Sequence, residues 1–66
     1  MIAPASKPTV KLIGNDGNAF SIMGRVKRAL LNAGADNEYT DQYIGEATSG
    51  DYNHLLSVSM EYVDVE

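Results

Sequence analysis

The sequence predicts a small α+β domain in which three short helices pack with a two-stranded antiparallel sheet in the order β-α-α-α-β. Three observations lead there. At 66 residues the chain has room for one core, because a chain this short buries only about 60% of its unfolded surface. β-branched residues open the ordered part and valines close it. Between them, apolar residues recur at helical spacing behind good capping residues.

Residues 1–8, with Pro4 and Pro8 and no apolar periodicity, read as a flexible arm ahead of a single domain over 9–66. Thr9-Val10-Lys11-Leu12-Ile13 reads as a strand that stops at the turn formers Gly14-Asn15-Asp16-Gly17. Asn18 caps a first helix from Ala19 to Ala33, whose face is Ile22, Met23, Val26, Leu30 and Ala33, and Gly34 follows as the residue of positive φ. The competing hairpin, with Ala19 to Ile22 as a strand after Asp16-Gly17, breaks that face. Asp36 caps a second helix bearing Thr40, Tyr43, Ile44 and Ala47, which Gly50 ends. Asp51 caps a third helix over 52–60, with Tyr52, Leu55, Leu56, Ser59 and Met60 at helical spacing. Leu56, Val58, Met60 and Tyr62 also alternate as a strand would, which places a short strand at 62–65.

Two blocks carry a family resemblance. The run Lys11-Leu12-Ile13-Gly14-Asn15-Asp16-Gly17-Asn18-Ala19-Phe20-Ser21-Ile22-Met23-Gly24-Arg25-Val26, together with Glu46-Ala47-Thr48-Ser49-Gly50-Asp51-Tyr52-Asn53-His54-Leu55-Leu56 and the ending Met60 to Val65, resembles small uncharacterised proteins of phages and mobile elements. The resemblance covers most of the chain after the arm. It implies a host-cytoplasm setting and supplies no activity for any residue.

Chemistry finds little footing in the sequence. Zero cysteines remove disulfides, thiolate metal sites and cysteine nucleophiles. No cofactor or metal is expected, since His54 is the lone histidine. Asp51, His54 and Ser57, three apart on one helix, project from successive turns and do not converge as a hydrolytic triad must. The 14–18 loop precedes a helix N-terminus and could receive an anion, but it is neither a P-loop nor a calcium loop, and a tight turn explains it. The sequence therefore predicts a non-enzymatic protein. With no run of four apolar residues, it predicts no membrane segment and a cytoplasmic location.

The charge is divided along the chain. Residues 1–28 hold Lys7, Lys11, Arg25, Lys27 and Arg28 against Asp16, a sum of +4; residues 29–66 hold eight carboxylates and no lysine or arginine, a sum of -8. The candidate interaction residues follow: an acidic face of Glu38, Asp41, Glu46, Asp51, Glu61 and Asp64, with Tyr39 and Tyr43 as aromatic anchors. These predict an accessory or regulatory factor that docks on a basic protein partner, steered by long-range attraction. A nucleic-acid mimic that blocks a host restriction or CRISPR complex is the sharper version of the same charge. Direct nucleic-acid binding through the basic patch Arg25, Lys27 and Arg28 works against the net charge of -4. The self-complementary charge division also predicts a homodimer. Gly24 and Gly45, inside helices, suggest close backbone approach to another helix or to a partner.

Overall fold

A computed structural model describes residues 1–12 and 18–66. Residue 13 of the expected strand, the turn at 14–17 and most of the anion-loop reading lie outside the described residues.

Asn18 sits in extended backbone, and its side chain accepts hydrogen bonds from the Phe20 and Ser21 N–H groups at 2.8 and 3.4 Å. Helix α1 (Ala19–Asn32) therefore starts where the sequence places it. It buries Ile22, Met23, Val26 and Leu30. Its end is a Schellman motif: Gly34 takes φ +105°, Gly34 N–H donates to Leu31 O, and Ala35 N–H donates to Leu30 O. An L-residue with a side chain would be strained at Gly34.

Helix α2 (Asn37–Ala47) starts at Asp36, whose carboxylate accepts from Tyr39 N–H at 2.9 Å. That bond, with one from Ile2, holds the Asp36 carboxyl below its ordinary range. Helix α3 (Tyr52–Tyr62) starts in the same way at Asp51, which accepts from His54 N–H at 2.9 Å.

α3 runs two residues past the expected Met60. Alternation misleads here, because Leu55, Val58 and Ser59 are buried while Met60 is 60% exposed. Those inward positions follow the helical period and leave the expected Tyr52 and Met60 outside.

The strands are short. β1 (Thr9–Val10) and β2 (Asp64–Val65) form a two-stranded sheet with Thr9 opposite Asp64 and Val10 opposite Val65. The sheet is parallel, which corrects the antiparallel expectation. An odd number of traverses gives the reason. Short connections turn the chain back after α1 and after α2. Three helix passes thus return it to the end where β1 began, so β2 runs alongside β1 in the same sense. All three helices serve as the crossover that parallel strands require.

The core lies where the helices meet the sheet. Val26, Leu30, Tyr43 and Val63 are fully buried there, with Val10, Ile22, Leu55 and Val58 around them. The N-terminal residues lie along the α1–α2 connection. Asp36 N–H donates to Ile2 O, Ala5 N–H donates to Ala33 O, and the Met1 ammonium stands 2.9 Å from Glu38 Oε1.

Candidate functional site

Helices α2 and α3 face each other through tyrosines. Tyr43 and Tyr39, one turn apart on α2, both meet the Tyr62 ring edge-on, with centroids 5.1 and 5.5 Å away. Tyr43 reaches furthest in. Its hydroxyl lies 2.6 Å from Ser59 Oγ, and Ser59 donates in turn to Leu55 O. Since Ser59 spends its proton on that carbonyl, Tyr43 is the donor to Ser59. Burial pushes the Tyr43 phenol up.

Tyr43 is fully buried, so it has no surface to offer a partner and leaves the aromatic set read from the sequence. Tyr39 is half-buried, and Tyr62 joins it at the rim. Tyr62 donates to the Glu46 carboxylate and accepts from Gln42 Nε2 at 3.2 Å. Desolvation, reinforced by the Glu46 hydrogen bond, pushes its phenol up to about 12.

His54 turns its ring back over the end of α2. Nε2 lies 3.0 Å from Glu46 O and 3.1 Å from Ser49 Oγ. A carbonyl can only accept, so Nε2 carries the proton and cannot serve as a base for Ser49. The Asp51 carboxylate meets the His54 backbone N–H and not its ring. His54 thus adds a donor to the Glu46 carbonyl at the end of α2, which also accepts from Ser49 N–H at 3.2 Å and from Ser49 Oγ at 2.7 Å. Gly50 makes room for it: a Cβ there would stand 2.7 Å from His54 Cγ. Below the ring, Glu46, Ser49, His54, Ser57, Val58 and Glu61 line an open groove of about 370 Å³. Among the described residues, no group of three or more His, Cys, Asp or Glu side chains is placed to hold a metal ion.

The six carboxylates of the acidic face, Glu38, Asp41, Glu46, Asp51, Glu61 and Asp64, are all exposed. Their engagements differ. Glu38 pairs with the Met1 ammonium, Asp64 with Lys7 at 3.6 Å, Asp51 caps α3 and Glu46 holds Tyr62. Among the described residues, Asp41 and Glu61 make neither an ion pair nor a side-chain hydrogen bond. Glu38, Asp41 and Gly45 share the side of α2 opposite the buried Thr40, Tyr43 and Ala47.

The basic residues stay apart from that face. Among the described residues no ion pair reaches Arg25, Lys27 or Arg28. At about 100° per residue, Arg25 and Lys27 flank α1's buried stripe on opposite sides, roughly 160° apart, with Arg28 on the outer face. They do not converge on one ligand. A Cβ added at Gly24 or Gly45 would meet nothing within 4 Å, so neither glycine admits a neighbouring helix of this chain.

A second feature escaped the sequence reading. Leu12, Leu56, Met60 and Val65 line an apolar groove of about 250 Å³ beside the sheet. Leu56 and Met60, one helical turn apart, were the signal for it, but only the fold brings Leu12 and Val65 to the same place. Among the described residues no helix is long and apolar enough to cross a membrane.

Comparison with known proteins places no relative beside this chain: no protein-family model, curated protein or solved structure matches it.

Proposed function

We propose that the protein is a small non-enzymatic binding module that docks a basic protein partner through the exposed carboxylates of α2 and α3. The observation that carries this reading is the lack of internal compensation. Among the described residues, Asp41 and Glu61 face solvent without a cation, although three cationic side chains without an ion pair stand on α1 of the same chain. Uncompensated charge of one sign raises encounter rates with an oppositely charged surface. Tyr39 and Tyr62 add aromatic contact area beside Glu46.

The phage-type resemblance of the two sequence blocks belongs to this proposal and makes the partner a host protein in the host cytoplasm. The outward row on α2 also favours a second reading, in which those carboxylates stand in for phosphates and the partner is a nucleic-acid-binding protein.

Affinity capture from bacterial lysate tests both. Asp41→Lys with Glu61→Lys alters only the unengaged carboxylates, and capture should be lost while the far-ultraviolet spectrum is unchanged. Capture that survives the double reversal overturns the proposal. Displacement of the captured protein by duplex DNA selects the mimic. Salt-sensitive DNA binding by the protein itself, abolished by Arg25→Ala with Arg28→Ala, replaces both with direct nucleic-acid binding.

A further inference from the structure

We propose that the free edge of β2 accepts a third strand from the partner, an extended segment in which lysine or arginine alternates with apolar residues. This rests on the reading above, that the partner is a basic protein, and names the form its contact takes.

The backbone supplies the first observation. Asp64 N–H donates to Pro8 O and Glu66 N–H to Val10 O, both at 2.9 Å, and Glu66 O accepts from Leu12 N–H at 3.2 Å. In a parallel ladder the residue between two such partners points its own N–H and C=O the other way. Val65 is that residue, so its amide forms an unpaired edge among the described residues, one that templates an added strand. A two-stranded sheet is a marginal one, and a third strand strengthens it.

The side chains supply the second. β1 already shows what β2 pairs with: Val10, opposite Val65, turns into the core, while Lys7 on the outer side reaches Asp64 at 3.6 Å. A strand on the other edge meets the same alternation, with Asp64 and Glu66 outward and Val65 inward. On the inward side lies the apolar groove of about 250 Å³ between Leu12, Leu56, Met60 and Val65. It has room for an aliphatic side chain, and Met60 and Val65 are 60% and 38% exposed at its mouth. A second copy of this edge would set Asp64 and Glu66 against their own like charges. The occupant is therefore a basic, apolar-alternating strand and not a copy of β2.

The probe is a fluorescent, end-blocked pentapeptide alternating lysine with valine and leucine, followed by anisotropy at low salt. Its controls are the same peptide with glutamate for lysine and the same peptide N-methylated at the central residue. Val65→Pro deletes the outward N–H and leaves the Asp64 and Glu66 bonds in place; Met60→Glu places charge in the groove at an exposed position. The lysine peptide should bind, both control peptides should fail, and each variant should weaken binding about tenfold or more. If Val65→Pro does not fold, Met60→Glu and the N-methyl peptide still decide.

Absence of binding at about millimolar peptide, equal binding by the N-methylated peptide, or a dimer through this edge that the same variants dissolve each overturns the inference. When the peptide fails while partner capture still depends on Asp41 and Glu61, the edge inference falls and the binding-module reading stands. Edge-dependent peptide binding with capture insensitive to Asp41 and Glu61 removes the helical-face reading instead.

Discussion

Removing one oxygen from Ser59 should cost more than removing one from Tyr43, although the two share a single hydrogen bond. Both residues are fully buried, and the direction of the bond decides the outcome. Tyr43 donates to Ser59 Oγ at 2.6 Å, and Ser59 donates to Leu55 O at 2.9 Å. Tyr43→Phe deletes the donor together with its need for a partner and leaves Ser59 donating to Leu55; about 1 kcal/mol should be lost. Ser59→Ala strands a phenol in the core with no acceptor, and a buried donor left unsatisfied costs about 1–3 kcal/mol. The double variant should resemble Tyr43→Phe, because no stranded donor remains. In a domain of this size 1 kcal/mol moves Tm by roughly 4–8 °C, so thermal unfolding by circular dichroism resolves the order. A domain this small holds about 3–5 kcal/mol in total, so Ser59→Ala should bring it close to half its stability. Tyr43→Phe costing more than Ser59→Ala, or a double variant equal to the sum of the singles, would refute the assigned donor.

Other perturbations test the remaining packing. Tyr62 titrates at about 12 in the folded chain and at about 10 when unfolded. The folded state therefore keeps a proton the unfolded state gives up, and its contribution is complete below pH ~10 and is lost as pH rises from ~10 to ~12. Tyrosinate absorbance should show this late ionisation, and Tyr62→Phe should reduce its amplitude by one tyrosine while buried Tyr43, also pushed up, still ionises late; a common midpoint near 10 for all the tyrosines would contradict it. Gly24→Ala and Gly45→Ala meet open space and should each stabilise by about 0.5–1 kcal/mol in urea unfolding, since glycine inside a helix is costly. Gly50→Ala should instead destabilise by about 1 kcal/mol or more, because the new methyl displaces His54 from Glu46 O. The His54 ring resonances in an NMR spectrum should shift in that variant and stay put in Gly45→Ala.

The helices were legible because their signals are local. Asn18, Asp36 and Asp51 each cap the helix expected of them, and Gly34 takes the left-handed conformation that ends α1. The direction of the sheet was not legible in the same way. It depends on how many times the chain crosses the core between Val10 and Asp64, a property of the whole path. The inward face of α3 was hidden for a different reason. Helical spacing sets Ser59 with Leu55 and strand alternation sets it outward, and only its partner Tyr43, sixteen positions earlier, decides between the two. The acidic residues were legible as a set, but their separation into engaged Glu38, Glu46, Asp51 and Asp64 and unengaged Asp41 and Glu61 needed the fold. His54 offered no local signal either, because what it caps is the carbonyl of Glu46 on the preceding helix.

The parallel pairing of the first and last strands also decides how the molecule meets force. Tension applied at the two ends draws β1 and β2 lengthwise in opposite directions, so the bonds Pro8–Asp64, Val10–Glu66 and Leu12–Glu66 are loaded together in shear. Antiparallel terminal strands would open one bond at a time, like a zipper. This small domain therefore carries a mechanical clamp between its first and last strands, which takes the load once the Ile2–Asp36 and Ala5–Ala33 bonds of the N-terminal residues have parted.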